Sequence, residues 1–167
     1  MKPKIWYAFA AAVAIVTLVG AGFTAWALIR TPYVVAVGTP IQHDDFLFTV
    51  TAIDHRRLAD GTAHYRVSVR VQNQAKVVNY QWRDSIAYVR AFDTRGFGRD
   101  FLPVTHGSFV LAAGQERTAK LAFNIPPGYS SANLRFWDGV FMGDAFNGAA
   151  YGKAIVPLEE YHPPFGT

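Results

Sequence analysis

The stretch YRVSVRVQ, residues 65–72, alternates strictly between apolar and polar side chains. The apolar residues occupy every second position, Tyr65, Val67, Val69 and Val71. Each is followed by a polar residue, in order Arg, Ser, Arg and Gln. A period of two with one polar side is typical of an antiparallel strand with one face buried and one face in water. The centre of the chain is therefore predicted to be a half-buried β-strand.

Segments on both sides of this stretch are also short and apolar or alternating, and turn residues separate them. Asp60-Gly61 is a hairpin-type turn signal, and Pro126-Pro127-Gly128 ends a strand. Several short strands at this spacing predict an all-β sandwich or barrel. The other predicted strands are residues 33–37, 46–52, 86–92, 118–125 and a segment beginning at Leu134.

The N-terminal block is different, because Ile5 to Ile29 is a run of 25 residues without a charge. About 20 apolar residues suffice for a helix to cross a bilayer. Trp6, Tyr7 and Trp26 lie near the ends of the run, where aromatic rings favour the headgroup layer. We therefore expect residues 1–30 to form a cytoplasmic N-terminus and a single transmembrane helix.

Positive charge before the run predicts the orientation of the helix. Lys2 and Lys4 precede it, so the N-terminus is expected in the cytoplasm and the C-terminal domain outside the inner membrane. The competing interpretation is a cleavable signal peptide, since Ala25-Trp26-Ala27 resembles a cleavage site. Signal-peptide apolar regions usually span about 7–15 residues, so the length of this run favours a retained helix.

Charge and cysteine content exclude several classes of protein. Three of the 16 basic residues, Lys2, Lys4 and Arg30, flank the apolar run, so the remaining 13 nearly balance the 12 acidic residues. Those charges are interspersed, and the basic footprint of a nucleic-acid binder is missing, so no nucleic-acid partner is expected. The sequence has no cysteine, which excludes disulfides, thiolate metal sites and a lipidated cysteine.

The order of several weak motifs resembles an immunoglobulin-like domain of unknown function found in bacterial envelope proteins and lipoproteins. The motifs are FLFTVTAID, YRVSVRVQN ending at Asn73, the turn Asp93–Gly96, LAAGQE at residues 111–116, LAFNIPPG at residues 121–128, and Leu134-Arg135-Phe136. The resemblance covers residues 33–137. It implies an immunoglobulin-like antiparallel sandwich of seven to nine strands, placed outside the cytoplasm, over residues 31–137. It implies no catalytic residues, and a protein helix here replaces the lipid anchor of many members.

Polar clusters that could carry chemistry are better explained as turns and strand edges. His43-Asp44-Asp45 and Asp54-His55 lack the spacing of a zinc motif, and Asp144–Gly148 does not match a calcium loop. Thr105-His106-Gly107-Ser108 places a hydroxyl near an imidazole but is no nucleophile elbow. We therefore predict no catalytic residue, no metal site and no cofactor.

Two features favour contacts with other proteins. Small side chains let transmembrane helices pack closely, and the apolar run carries a stripe of them that chance composition explains equally well. Residues 138–167 form an aromatic, Gly-rich loop and a Pro-containing tail, expected to pack on the sandwich or on a partner. The helix-packing candidates are Ala10, Ala14, Thr17, Ala21 and Thr24, and the docking candidates are Trp137, Phe141, Met142, Phe146, Tyr151, Tyr161 and Phe165.

Together these features predict a non-catalytic, single-pass accessory or scaffold subunit of a larger membrane complex, such as a respiratory or photosynthetic one. Its partners would be membrane lipid and other transmembrane subunits. The alternative is a stand-alone, envelope-anchored module that binds a small ligand, a metal or a peptide.

Overall fold

The computed structural model describes residues 13–22, 32–136 and 154–159. The chain divides into two compact units, Met1–Thr31 and Pro32–Thr167. In the first unit, residues 13–22 form an α-helix, α1. Within the described residues, no helix combines the length and the apolar character needed to cross a membrane. The predicted span, residues 5–29, extends past α1 at both ends and so lies largely outside the described residues.

The described part of the second unit contains eleven β-strands and one short 3-10 helix at Asp84–Ile86. The strands are β1 (Tyr33–Val34), β2 (Pro40–His43), β3 (Phe46–Arg57), β4 (Ala63–Asn73), β5 (Tyr80–Arg83), β6 (Ala87–Asp93), β7 (Gly98–Phe101), β8 (Ser108–Leu111), β9 (Glu116–Ile125), β10 (Tyr129–Phe136) and β11 (Ala154–Pro157).

The strands form two main sheets and one smaller pair. The order is β1-β11-β10-β6-β7 in the first sheet and β2-β3-β4-β9 in the second, while β5 pairs with β8. The β1–β11 pair is parallel, and the other pairs are antiparallel. Apolar side chains from all three sheets form one buried cluster. The predicted all-β sandwich is confirmed.

The alternating stretch lies in β4, at the centre of the second sheet. Tyr65, Val67, Val69 and Val71 are each at most 1% exposed. Burying a valine side chain stabilises a fold by about 1.5–3 kcal/mol, so this alternation fixes which face of β4 is the core face. The Asp60-Gly61 signal also lies where it was predicted, between β3 and β4. Gly61 has a φ of +83°, and the Thr62 amide donates to Asp60 Oδ1, which lowers the pKa of Asp60.

In β3 the predicted alternation is wrong at one position. The register against β4 shifts between Val50 and Ala52, so Val50 and Ile53 are buried while Ala52 is exposed. Ala52 had been expected on the same face as Phe48. A β-bulge places one extra residue in the strand and reverses the parity of all that follow. The first predicted strand is also shorter, since it ends at Val34.

The segment 138–167 contributes a strand to the sandwich. In β11, Ala154 is 0% and Val156 is 1% exposed, and the strand lies between β1 and β10. The expected sandwich ended at residue 137, so β11 lies in the segment assigned to the loop and tail. At least residues 154–157 therefore pack on their own sandwich.

Three aromatic side chains join the sheets in the core. The rings of Phe48 in β3 and Phe136 in β10 are stacked with their centroids 5.4 Å apart. The centroid of Trp82 in β5 lies 5.7 Å from that of Phe48. All three side chains are completely buried. Each one belongs to a different sheet, so this cluster connects the whole sandwich.

We predict that Phe136→Ala lowers the free energy of unfolding by about 3–5 kcal/mol, because it leaves a cavity between the sheets. Phe97→Ala is the control, since Phe97 is 71% exposed and the expected change is within about 0.5 kcal/mol. Guanidinium unfolding of both variants measures the difference. Equal losses in the two variants would contradict this role for Phe136.

Candidate functional site

The predicted docking residues lie outside the described residues, and so do Ala10 and Thr24 of the predicted helix-packing stripe. The structure does place Ala14, Thr17 and Ala21 on α1, where all three are exposed. The Thr17 hydroxyl donates to the Val13 carbonyl oxygen at 2.9 Å. Its polar group is thus satisfied within the helix, and its methyl group stays available for packing.

Several chain connections meet at one end of the five-stranded sheet. Tyr33, the first residue of β1, pairs with Ala154, the first residue of β11. Phe136, the last residue of β10, pairs with Ala87 and, continuing the β10–β11 register, lies level with Ala154. We call this end of the sandwich the entry end. The attachment point of residues 1–31 and both attachment points of residues 137–153 therefore lie at the entry end.

The buried side chain of Asn73 organises the loops at the same end. Phe46, the residue that pairs with Asn73, is two positions from Phe48, which stacks on Phe136. Asn73 Nδ2 donates to the carbonyl oxygens of Val78 at 2.7 Å and Leu111 at 3.1 Å. Its Oδ1 accepts from the Ala75 amide at 3.0 Å. One amide group therefore fixes the loop of residues 74–79 against the end of β8.

The loop held by Asn73 presents apolar side chains to solvent. Val77 is 87%, Val78 54% and Val110 60% exposed. Val78 and Leu111 share the Asn73 amide, Val77 precedes Val78 and Val110 precedes Leu111, so all three valines belong to segments held by Asn73. Single exposed valines are common in soluble proteins, and these three make the exposed side of the segments held by Asn73 apolar.

A second polar cluster lies beneath the loop that joins β7 to β8. Asp84 is 5% exposed, and its two carboxylate oxygens accept from Trp82 Nε1 at 2.9 Å and from the Gly107 amide at 2.8 Å. A Cβ atom on Gly107 would come within 3.0 Å of Asp84 Oδ2, so this approach depends on glycine. The carboxylate thus ties the predicted turn Thr105-His106-Gly107-Ser108 to the core.

A cleft of about 310 Å³ opens beside this carboxylate, and Arg83, Ser85, His106 and Ser108 line it. Both oxygens of Asp84 are already bonded to the protein, so the carboxylate acts as a support for the loop. Residues 105–107 form an irregular loop, and Ser108 begins β8, so the predicted turn at residues 105–108 is not seen as such.

The histidines are distributed over separate positions. The ring of His55 stacks on Tyr65 with centroids 4.5 Å apart, and His64 Nδ1 lies 2.6 Å from Asn124 Oδ1. His43 is buried at the end of β2, and Asp44 forms the following turn with a φ of 51°. Among residues 13–22, 32–136 and 154–159, no three His, Asp or Glu side chains are grouped as metal ligands would be. His162 and Asp144–Gly148 lie outside these residues.

The Tyr65 hydroxyl links the second sheet to the C-terminal segment. It donates to Glu159 Oε1 at 3.3 Å, and the Ser131 amide donates to Glu159 Oε2 at 3.2 Å. Ser131 has a φ of 52°, at an irregular point of β10. Burial, with the negative charge of Glu159, raises the pKa of Tyr65 to about 12. The neutral phenol is therefore favoured in the folded chain.

The polar surface that sequence analysis missed is the outer face of the second sheet. Its residues Arg66 and Lys120, both exposed, line a cleft of about 460 Å³ together with Asp54, Ser68 and Thr105. The alternation of β4 and β9 shows that these side chains face outward, but residue 105 is distant in sequence. Only the folded loop brings it to this face.

The comparison with solved structures supports the fold alone. An uncharacterised β-sandwich protein from Clostridium difficile 630 aligns with a TM-score of 0.50 and 12% identity, covering 77% of this chain and 95% of that chain. A DUF1425 family member from Shewanella sp. pv-4 aligns with a TM-score of 0.33 and 12% identity, covering 61% and 89%. No family model and no curated protein matches this sequence. The chain is thus a β-sandwich similar in fold to a protein of unknown function.

We predict that Asn73→Ala lowers the free energy of unfolding by about 2–4 kcal/mol, since it leaves backbone groups of Val78, Leu111 and Ala75 without their partner. Amide hydrogen exchange should rise most in residues 74–79. Asn124→Ala, at an exposed position of β9, is the matched control. Unchanged exchange in that loop would show that Asn73 does not hold it.

We predict that stability falls with pH between about 10 and 12 partly through Tyr65. Its folded-state pKa is about 12, above the ordinary value of 10.0, so its contribution is complete below pH 10 and is lost as pH rises towards 12. One such proton changes the stability by at most about 1.4 kcal/mol per pH unit.

Unfolding of Tyr65→Phe across this pH range should show a shallower decline than the wild type. Tyr33→Phe is the control, because Tyr33 is 44% exposed. If all three proteins lose stability with the same slope, Tyr65 is not the responsible group.

Proposed function

We propose that this chain is a non-catalytic, single-pass subunit that stabilises a larger membrane complex, such as a respiratory or photosynthetic one. The helix would pack beside other transmembrane subunits, and the sandwich would contact the complex outside the cytoplasm. The 25-residue uncharged run and the positive charge before it support the anchor and its orientation.

The strand order supports an immunoglobulin-like type of sandwich. Such domains place strands A, B and E in one sheet and strands G, F, C and C′ in the other. Here β3, β4 and β9 are neighbours in one sheet, and β11, β10, β6 and β7 are neighbours in the other. These strands correspond in chain order to A, B, E and to G, F, C, C′. A module of this type is commonly used as a binding scaffold whose loops carry the function.

The observation that carries the proposal is the arrangement at the entry end. The connection from the N-terminal unit, both connections of residues 137–153 and the exposed valines of residues 77, 78 and 110 all belong to this end. Residues 1–31, which carry the predicted anchor, join the sandwich at this end. A partner that docks at the entry end would therefore meet the apolar loop and the attachment points of residues 137–153.

The buried polar side chains support binding in preference to catalysis. Asn73 and Asp84 bond mainly to backbone groups of loops, and the Trp82 indole completes the contacts of Asp84. Side chains that are hydrogen-bonded to loop backbone in this way keep those loops in place. Fixed loops bind with a smaller ordering cost, which suits a surface that must hold a partner.

We predict that full-length protein purified from its native membrane in mild detergent is recovered with other transmembrane subunits. Val77→Asp with Val110→Asp should abolish that recovery, because buried unpaired charges at an interface cost several kcal/mol. Phe97→Asp is the control, since it replaces one exposed apolar residue by an aspartate in the β6–β7 turn, away from the entry end.

Native gel electrophoresis, followed by mass spectrometry of the complex, measures the result. Recovery of the wild type only as a free monomer would contradict the proposal. A mature chain that begins near Leu28 would contradict the anchor itself.

A further inference from the structure

The outer face of the second sheet carries a cluster of cations that outnumber the carboxylate beside them, Asp54, which pairs with Arg66. Ser68 in β4 pairs with Lys120 in β9, and Arg66 and Arg70 lie two residues away on either side. Diagonal neighbours across a sheet are about 7–8 Å apart, so the three cations surround Ser68. The one salt bridge within the described residues joins Arg90 to Asp100, in the other sheet. Like charges this close repel each other unless an anion lies between them.

The floor beneath these cations is made of small side chains. Ala52 and Lys120 flank Ser68 on the two neighbouring strands, and Ala122 flanks Arg66. The bulge in β3 turns Ala52 to this face, and the Thr51 hydroxyl donates to the Ser68 carbonyl oxygen at 3.2 Å. Because the surrounding side chains on this sheet face are long, these small residues leave a cleft of about 460 Å³. The cleft is therefore a consequence of the bulge and of the alanines.

The loop after β7 forms one wall of the cleft. The Val104 amide donates to the Ala122 carbonyl oxygen at 2.8 Å, which fixes this loop along the edge of β9. Thr105 follows directly and lines the cleft. Its Oγ1 is shielded from solvent and has no hydrogen-bond partner among the described residues. Because solvent does not reach this hydroxyl, Thr105 contributes to the wall of the cleft and not to its donors.

We propose that this cleft binds a phosphate group. A guanidinium fork on Arg66, an ammonium on Lys120 and a hydroxyl donor on Ser68 match the several oxygens of a tetrahedral oxyanion. Asp54, which pairs with Arg66 across the strands, is placed to accept from a hydroxyl of the ligand. Monohydrogen phosphate and a phosphoglycerol lipid headgroup share this chemistry. The site lies on a sheet face and goes beyond the docking role of the entry end.

The test uses the full-length protein in uncharged detergent micelles, with two probes. One is inorganic phosphate, compared with sodium chloride at equal ionic strength, and the other is phosphatidylglycerol added to the micelles. Ligand that binds only the folded state raises the melting temperature in a concentration-dependent way. A response to phosphate identifies the free anion, and a response to the lipid alone identifies the headgroup.

Arg66→Gln and Lys120→Gln should each weaken the binding by about tenfold or more, because each removes a charge-assisted hydrogen bond. Lys76→Gln is the matched control, since Lys76 is exposed in the loop after β4 and does not line the cleft. Its affinity should stay within about twofold of the wild type.

The proposal is overturned if neither probe raises the melting temperature more than chloride does. It is also overturned if the variants at residues 66 and 120 respond like the variant at residue 76. Co-purification of partner subunits is independent of either result, so this inference and the proposed scaffold role fail separately.

Discussion

The contact between Phe48, Phe136 and Trp82 is the constraint on which the rest of the sandwich depends. Two of these rings belong to opposite main sheets, and the third belongs to the β5–β8 pair, so the cluster fixes the spacing of all three. Burying Trp82 also creates a requirement, because its indole N–H needs an acceptor away from water. Asp84 meets it, and the second oxygen of Asp84 then holds Gly107. An aromatic core thus dictates the position of a surface loop.

Asn73 organises the entry end, where backbone amide and carbonyl groups of the loops need hydrogen-bond partners. Irregular loops bury carbonyl and amide groups that no neighbouring strand can pair. One amide side chain supplies donors to two carbonyls and an acceptor to one amide, so three loop positions depend on a single residue. This explains how residues 74–79 keep Val77 and Val78 exposed without collapsing onto the core. The hydrogen bonds of Asn73 thus hold the apolar surface at this end in place.

The sequence predicted the strands whose alternation is complete and missed those defined by their neighbours. In β4 and β9 one face is buried and the other is exposed to water, so the alternation of apolar and polar residues predicts both strands. β2, β5, β7, β8 and β11 have four residues each, too few for a period to be distinguished from chance. The bulge after Val50 changes parity without any glycine to mark it. The cleft on the outer sheet face could not be predicted either, because the Val104–Ala122 hydrogen bond is what brings Thr105 to the cleft that Lys120 lines.

The two surfaces proposed for binding differ in a way that separates their roles. The entry end is apolar and held by buried hydrogen bonds, which suits a lasting contact with another protein. The outer sheet face is charged and wet, and its cations gain only modest energy from a ligand in water, as exposed ion pairs do. Such a face suits exchangeable binding of phosphate groups. Strand β4 supplies Arg66 to the outer sheet face and Asn73 to the entry end, so one rigid strand connects the two surfaces. The two surfaces have no side chain in common. Occupancy of the cleft therefore need not alter the docking end.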